Sequence, residues 1–557
     1  MSEALARIVA GSLTGGLTAQ LLNEVSPERV RASSVVAIQG KEATFLGVVS
    51  DIALGLGVEL ARSLTRQETR TSSVMGRVID RSASKLKSQG SLPSDLTLVP
   101  LAVAWGDEVE IADTLPDYTA FVTTPGVGDV KRFYGLVDQQ RRWPLGTLKS
   151  PVVGKSLGDS VPVDVDILAR GSFGIFGKSG SGKTFVGNLL ASYIILSNYT
   201  GGLEKRIKLL IFDMHSEYGL KLKDQIGRDY EDGVGLAFKE EFTRYTPDHG
   251  LARESGLEPF TISSSRITIQ DIYTMAEALG ISSTFLDVLP AVVRLISETL
   301  PGRQWIEVLC NYNMDKESDS QLKTAFKELG AGALQSFLAA RNRLERLTQF
   351  EFINWVGEED SAIAAVDALL RRGQSVILTF GRYGDNRVAY MLVANIVSRR
   401  LWNECVQLIM EGRQIENRVV IFLEEAHKFL SPSVYYMTPF GDIARELRKR
   451  GVVLCVLDQR PSELTEEVRA MLWNTFDMWL TEVSDIEVAS KGLPFPKLLT
   501  PVIANLRRQE VLAFGEAVRI PAVVRTPDYK TAMSQLKELY RNISDKRSDA
   551  ARLQGYG

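Results

Sequence analysis

The chain has 557 residues, and its 65 Lys and Arg nearly balance its 68 Asp and Glu, for a formal net charge of −3. Hydrophobic residues make up 45% and charged residues 24% of the chain, which is typical of folded globular proteins and excludes a disordered chain. The three cysteines lie far apart and in no CxxC pair, and there are only three histidines, so neither a disulfide scaffold nor a transition-metal centre is expected.

The apolar stretch from Ala4 to Leu22 is broken by Arg7 and by several Ser, Thr and Gly residues, and no cationic segment precedes it. Later apolar runs, such as Val419 to Leu423, have the length of a buried strand and are far too short to cross a bilayer. The sequence therefore predicts neither a signal peptide nor a membrane span, and we expect a cytoplasmic protein.

The first 150 residues or so contain short β-type runs separated by Gly, Pro and Asp. Examples are Ser34 to Ile38, Thr44 to Val49 and Leu96 to Val99. This pattern predicts a small β-rich domain of the barrel type. Within it, residues 62–87 contain seven basic residues against Glu68 and Asp80, a local charge of +5. The segment is either a solvated linker or a contact surface for a partner or nucleic acid.

After Gly154 the pattern changes to alternating apolar runs and helical stretches, which indicates a wound α/β domain. Its predicted strands are Phe173 to Phe176, Lys208 to Phe212, Ser375 to Phe380, Val419 to Leu423, Val452 to Leu457 and Met478 to Glu482. Helical spacing between Ile269 and Arg372 predicts a helical subdomain, and the tail predicts a helix to about Tyr540 and then a loose end. These patterns divide the chain into units at 1–150, 151–268, 269–372, 373–528 and 529–557.

The sharpest motif is Gly-Lys-Ser-Gly-Ser-Gly-Lys-Thr at residues 177–184, which satisfies GxxxxGK[ST] between a strand and a helix. In such a loop the backbone N–H groups surround phosphates, Lys183 reaches the β- and γ-phosphates, and Thr184 binds Mg²⁺. A glycine-rich turn without a ligand is the alternative, which the complete motif disfavours. The predicted nucleotide-binding residues are Gly177, Lys178, Ser179, Gly180, Ser181, Gly182, Lys183, Thr184 and Phe185.

Two carboxylates, Glu424 and Glu425, follow the apolar run Val419 to Leu423. They are expected at the carboxyl edge of a buried strand, where ligands bind in open α/β sheets. The sequence places Glu424 on the Mg²⁺ side, where an aspartate is usual, and Glu425 beside the attacking water. Acidic residues that only complement a helix N-terminus are the alternative.

Three further segments are candidates for the same site. Asp213 follows another predicted strand together with His215 and Glu217, and is either catalytic or a capping residue. Gln459 follows Val452 to Leu457, and either senses the γ-phosphate or lies in a polar turn.

Four cations lie within residues 445–450, among them Arg445 and Arg448, on a short predicted helix. A solvated face is the usual meaning of such a run. In a ring of P-loop subunits, however, an arginine here enters the neighbour's site and stabilises the charge of the transition state.

The ordered set of motifs resembles the HerA branch of the HerA/FtsK superfamily of ring ATPases. The P-loop alone is shared by many NTPases, whereas the other motifs in this order are much more specific. The segments that carry the resemblance are Gly47-Val48-Val49-Ser50-Asp51, the P-loop, Asp213-Met214-His215-Ser216-Glu217-Tyr218, Glu424-Glu425-Ala426-His427, Arg445-Glu446-Leu447-Arg448-Lys449 and Gln459-Arg460-Pro461-Ser462.

The resemblance implies an α/β fold with an N-terminal β-barrel domain, a RecA-like P-loop core and a helical subdomain. It also implies a homo-hexamer that uses ATP and Mg²⁺ to move along double-stranded DNA, with a partner nuclease or other effector on the N-terminal domain. Among single residues it implies that Glu425 is the catalytic carboxylate and Arg448 the arginine that acts on the neighbour, with Arg445 second. His427 either contacts Glu425 or packs at a helix start, and packing is favoured.

A scaffold is the alternative to a motor. In that case the ring binds ATP and mainly assembles and activates an anti-phage effector, a nuclease or an NAD-consuming enzyme. The chain shows no nuclease or NAD-hydrolase motif, so such chemistry is expected from another chain.

Overall fold

A computed structural model describes residues 4–54, 94–223, 227–311, 320, 322–324 and 331–554. The basic segment 62–87 lies outside the described residues. In the described part, no helix has both the length and the apolar character needed to cross a membrane.

The N-terminal region is a closed barrel, as expected. Its strands are β1 (Ala4–Ser12), β2 (Gly16–Leu21), β3 (Val35–Gln39), β4 (Thr44–Leu54), β5 (Ser94–Trp105), β6 (Glu108–Ile111) and β7 (Phe121–Thr123). The order β2-β1-β7-β3-β4-β5 closes through a second pairing of β2 with β5, and β6 extends from the end of β5. Closure removes free sheet edges, and side chains such as Ile38 and Val122 fill the interior.

The core of the protein is one sheet of twelve strands. They are β8 (Arg142–Leu148), β9 (Ser160–Asp164), β10 (Ser172–Phe176), β11 (Ile207–Asp213), β14 (Phe242–Thr246), β15 (Glu258–Pro259), β18 (Ser375–Thr379), β19 (Arg418–Glu424), β20 (Val452–Asp458), β21 (Leu472–Asp477), β22 (Glu510–Gly515) and β23 (Val518–Arg525). Two small sheets pair β12 (Lys221–Lys223) with β13 (Asp229–Asp232), and β16 (Ile262–Ser263) with β17 (Ile353–Asn354).

The order in the long sheet is β15-β14-β18-β11-β19-β20-β10-β21-β22-β23-β8-β9. Pairing is parallel from β15 to β21 and antiparallel from β21 to β9. The central strands are buried on both faces, as in β19, where all seven residues are buried. Because parallel strands end at the same edge, the carboxyl ends of β10, β19 and β20 lie together.

Helices cover both faces of this sheet. They are α1 (Val127–Tyr134), α2 (Val165–Leu168), α3 (Lys183–Thr200), α4 (Val234–Ala237), α5 (His249–Ser255), α6 (Ile269–Leu279), α7 (Ser283–Thr299), α8 (Trp305–Asn311), α9 (Ala331–Leu344), α10 (Ser361–Leu370), α11 (Arg387–Met410), α12 (His427–Leu430), α13 (Pro439–Asp442), α14 (Glu466–Ala470), α15 (Val483–Ser490), α16 (Pro496–Ala504) and α17 (Tyr529–Gln554). Residues 269–372, where helical spacing predicts a subdomain, contain α6 to α10.

The barrel ends before the predicted boundary at residue 150. Its last strand ends at Thr123, whereas β8 and β9, on either side of residue 150, pair at the edge of the long sheet. The barrel contacts this part of the chain through the backbone N–H of Arg31, which donates to the carbonyl of Pro151 at 2.9 Å. The long sheet therefore begins before residue 150.

Two predicted elements differ from the structure. The strand predicted at 478–482 is wrong, because the strand is Leu472–Asp477 and the apolar residues after it form a loop beneath the P-loop. Met478 there donates its N–H to the Phe176 carbonyl at 2.8 Å. The last helix continues to Gln554, past the end predicted near Tyr540, because residues 541–554 contain no Pro or Gly to end it.

Candidate functional site

The phosphate-binding motif forms the turn between β10 and α3. Gly180 and Gly182 have φ angles of +74° and +112°, which favour glycine. A side chain at Gly177 would come within 2.6 Å of the Ser181 hydroxyl. The turn therefore needs glycine at these positions, and it exposes backbone N–H groups at the start of α3, as an anion site requires.

Lys183, the first residue of α3, is turned into this loop. Its Nζ donates a hydrogen bond to the Gly177 carbonyl at 2.6 Å. Burial lowers the pKa of Lys183, whereas the charges of Glu425 and Asp458 act in the opposite direction. A half-buried cation thus lies between the loop and an acidic wall.

Glu424 ends β19 and is only 5% exposed. Burial raises its pKa to about 8, against the lowering effect of the His215 charge. Its carboxylate accepts the N–H of His215 at 3.2 Å, and its backbone carbonyl accepts the Tyr390 hydroxyl at 2.7 Å. Burial therefore favours the protonated form of this side chain, whereas a nearby cation favours the ionised form.

Glu425 adopts the left-handed conformation, with φ +47°, which is unusual for a non-glycine residue and recurs at functional sites. Its Oε1 accepts a hydrogen bond from Gln459 Nε2 at 2.8 Å, and His215 Nε2 lies 4.0 Å from the same oxygen. Burial acts to raise the pKa of Glu425, but His215, Gln459, His427 and Lys183 outweigh it and lower the pKa to about 2. Contact with Glu425 in turn raises the pKa of His215 to about 9.

His427 contacts the acidic site and does not merely pack at the start of α12. Its Nδ1 lies 3.0 Å from Asp458 Oδ2 and 3.6 Å from Glu425 Oε2. Its backbone N–H also donates to Asp458 at 2.7 Å. The packing favoured from the sequence is therefore wrong, because β20 brings the buried Asp458 alongside this turn.

Asp213 is fully buried at the end of β11. Its two oxygens accept bonds from the backbone N–H groups of Glu217, Tyr218 and Gly219 and from the Thr379 hydroxyl, at 2.7 to 3.1 Å. Burial raises its pKa to about 6, although these bonds oppose the shift. The side chain shapes the turn that carries His215 and Glu217.

One cavity of about 620 Å³ brings most of the predicted residues together. Its wall includes residues 179–185 of the loop and α3, and also Glu424, Glu425 and Gln459. Lys178 is turned aside, with its Nζ 5.2 Å from the centre of the Trp479 ring. Threonine and carboxylate oxygens are ligands of the kind that Mg²⁺ takes, so Thr184 and Glu424 fit that ion.

The cavity also contains residues outside the predicted set. They are His215, Glu217, Lys223, Tyr230, Leu457, Arg508 and Gln509. Arg508 Nε donates to the Gly180 carbonyl at 2.7 Å, and Gln509 donates its N–H to the Ser181 carbonyl at 3.1 Å. The loop before β22 thus supports the P-loop from more than 300 residues away in the chain, where no local motif marks it.

Arg445 and Arg448 lie at the other edge of the sheet, just before β20 begins. Arg445 Nη2 is 2.5 Å from Asp442 Oδ1, and the Arg448 guanidinium lies 4.8 Å from the centre of the Trp473 ring. Residues Ile443–Leu447 form a π-helical turn, a distortion that is frequent at functional sites. Neither arginine is in the wall of its own chain's cavity, so any action on a nucleotide requires another subunit.

Comparison with known proteins supports one family. Residues 151–401 match the family model described as "Helicase HerA, central domain". The chain is 22% identical to the DNA double-strand break repair helicase HerA of Pyrococcus furiosus over 50% of this chain and 57% of that protein. It is also 22% identical to the proteins of the same name from Saccharolobus solfataricus, over 74% of each chain, and Sulfurisphaera tokodaii, over 94% of each chain.

Two solved structures are also similar. VirB4 of Thermoanaerobacter pseudethanolicus is 17% identical, covers 70% of this chain and 97% of its own, and has a TM-score of 0.41. The bacterial conjugative coupling protein TrwBdeltaN70 is 14% identical, covers 72% and 92%, and has a TM-score of 0.47. The central-domain match and the relatives aligned over most of their length show that the chain is similar to the HerA helicases.

Proposed function

We propose that the protein is an Mg²⁺-dependent ATPase that forms a homo-hexameric ring and moves along double-stranded DNA. This proposal rests on one observation: Lys183, Glu425 and Gln459 line the same cavity as the P-loop. A cation, an ionised carboxylate and a polar amide are the groups needed to bind a triphosphate and direct water at its terminal phosphate.

Each side chain has a distinct task in this proposal. Lys183 exchanges its bond to the Gly177 carbonyl for the β- and γ-phosphates. Glu425, with its pKa lowered to about 2, is ionised at neutral pH and orients the attacking water. Gln459, bonded to Glu425, senses the γ-phosphate. Thr184 and Glu424 hold Mg²⁺, which neutralises phosphate charge when bound.

DNA as the substrate is supported by the matched relatives, whose names describe DNA double-strand break repair helicases. A net charge of −3 does not oppose this assignment, because a ring needs cations only along its channel. The partner is proposed to be a nuclease or another effector that docks on the N-terminal barrel. That barrel exposes large apolar side chains, including Leu54 and Trp105.

The proposed function is tested by measuring ATP turnover of the purified full chain with and without duplex DNA. We expect turnover to rise at least severalfold with duplex DNA and to depend on Mg²⁺. If turnover does not change with DNA but requires the partner, the result would contradict the motor function and support the ATP-binding scaffold. Native mass spectrometry of the same sample should find six copies, and a stable monomer with full turnover would contradict the ring.

A mixing experiment tests whether Arg448 acts on the nucleotide site of a neighbouring subunit. We expect Arg448→Ala to lower turnover by about 1,000-fold, the range known for arginines that act across an interface, while the protein still binds ATP. Because the arginine and the P-loop of one site then come from different subunits, mixing inactive Arg448→Ala with inactive Lys183→Ala chains should restore part of the activity. Mixed rings without any recovery would contradict the role of Arg448, and the same mixture with Arg445→Ala tests the second candidate.

A further inference from the structure

Three aromatic rings lie next to the phosphate-binding loop, and the proposed hydrolysis uses none of them. Phe185 follows Thr184 directly, and its ring is nearly parallel to those of Tyr230 and Tyr529. The ring centres are 6.0 Å and 5.1 Å from that of Phe185. Tyr529 is buried, whereas Phe185 and Tyr230 line the cavity that holds Lys183. Two of the three rings thus line the cavity, and the Phe185 ring contacts both of the others.

Tyr230 is held in place by contacts between the β12–β13 hairpin and α17. Its hydroxyl donates to Asp528 at 3.3 Å, and the Tyr529 hydroxyl donates to the Asp232 carbonyl at 3.0 Å. Lys537 of α17 forms ion pairs with Glu231 and Asp232 at 2.7 and 3.1 Å. The hairpin and the C-terminal helix therefore fix the ring before any ligand arrives, which limits the entropy lost on binding.

A polar group in the same wall complements the aromatic rings. Gln509 has φ +62°, and its backbone is fixed by bonds to the Ser181 carbonyl and from the Thr526 N–H, at 3.1 and 2.9 Å. Its side chain is half-buried in the cavity wall. A carboxamide donates and accepts at once, which matches the N6 donor and N7 acceptor of adenine, whereas the corresponding edge of guanine presents two acceptors, O6 and N7.

A nucleoside triphosphate with its phosphates at Lys183 presents a flat, largely apolar base to the rest of this cavity. Aromatic side chains bind bases by stacking. Resting on the proposed ATPase function, we infer that Phe185 and Tyr230 form the nucleobase subsite of the ATP site and that Gln509 selects adenine at its edge.

The test is calorimetric titration of the full chain with ATP, GTP and inorganic tripolyphosphate. We expect Tyr230→Ala to lower the affinity for ATP about tenfold or more, which is the loss typical of one stacked ring. The affinity for tripolyphosphate should stay as in the wild type. Tyr230→Phe keeps the ring and should keep the affinity for ATP. Tyr118→Ala, which removes a 69% exposed tyrosine from the barrel, is the matched control. Gln509→Leu should reduce the preference for ATP over GTP.

The outcomes separate this subsite from the hydrolytic function. Unchanged ATP affinity in Tyr230→Ala overturns the stacking role, and an equal loss for ATP and tripolyphosphate overturns it too, because the ring then acts only on the loop. An unchanged ratio of ATP to GTP affinity in Gln509→Leu overturns the selection of adenine. Wild-type protein that hydrolyses ATP but binds it no more tightly than tripolyphosphate overturns the subsite and leaves the ATPase intact.

Discussion

Replacing Lys183 with alanine is expected to abolish ATP hydrolysis and most of the affinity for ATP. The side chain is a half-buried cation that contacts the P-loop, and it is the cation that the proposed site directs at the β- and γ-phosphates. Removing a donor that stabilises developing charge typically lowers the rate by about 100- to 1,000-fold. The measurements are steady-state ATP turnover and the rise in melting temperature on adding Mg²⁺-ATP, since a ligand stabilises only a protein that binds it.

The control for this variant is Lys239→Ala, which removes an exposed lysine remote from the cavity. It should keep wild-type turnover and the same ATP-induced rise in melting temperature. The Lys183 variant should fold, because its loss leaves only one hydrogen bond to the Gly177 carbonyl unmade. A folded Lys183→Ala protein with wild-type turnover would contradict the P-loop as the active site.

The parts of the site that could be predicted from sequence are those formed by residues that are contiguous in the chain. The P-loop is one: its glycines occupy positive φ angles and its lysine follows them directly, so local spacing determines the geometry. The Glu424-Glu425 pair is another, because an all-apolar strand places it at the carboxyl edge of the sheet. Both predictions depend on periodicity and steric rules that act within about ten residues.

The remaining parts depend on contacts between distant segments. Arg508 meets the loop only because β22 pairs beside β21 and β21 beside β10. The left-handed conformation of Glu425 has no sequence signal, since glycine or asparagine is the usual residue there. The sequence does not indicate the strand at Leu472–Asp477, because polar Asn474 and Asp477 interrupt its apolar pattern. The loop that follows has the apolar pattern expected of a strand.

The two acidic groups of the site show how burial and partners decide a role. Burial alone acts to raise the pKa of both Glu424 and Glu425. Glu425 meets Gln459 and the cations His215, His427 and Lys183, whose effects exceed that of burial, so its pKa falls to about 2. Glu424 has fewer compensating contacts, and its pKa rises to about 8. Two adjacent glutamates thus have widely different pKa values in the folded chain.

Glu425→Gln is expected to reduce ATP turnover by about 100- to 10,000-fold, the contribution typical of a positioned base. Glutamine has the same shape but carries no charge, so it keeps the bond partner of Gln459 while losing the ability to take a proton from water. ATP binding should persist, because Lys183 and the loop are untouched. ATP should therefore still raise the melting temperature of Glu425→Gln, in contrast to Lys183→Ala. Glu254→Gln, an exposed position on α5, serves as the matched control.

The same variant makes a pH-dependent prediction for stability. Glu425 has a pKa of about 2 in the folded protein against an ordinary value of 4.5, so its charge stabilises the fold above pH 4.5 and this contribution is lost as pH falls towards 2. His215 has a raised pKa of about 9 against 6.5, so its contribution is complete below pH 6.5 and is lost as pH rises through 9. The difference in unfolding free energy between wild type and Glu425→Gln should therefore be largest between pH 4.5 and 6.5.

Denaturant unfolding at a series of pH values measures that difference, and turnover at the same pH values measures the catalytic role. A stability difference that does not vary with pH would show that Glu425 and His215 are not paired. Hydrolysis within a few-fold of wild type in Glu425→Gln would assign the water to another group, and Glu424 would be the next candidate because it lines the same cavity. Because His215, Gln459, His427 and Lys183 keep Glu425 ionised against the effect of burial, losing the charge at Glu425 should lower turnover and remove the pH-dependent stabilisation together.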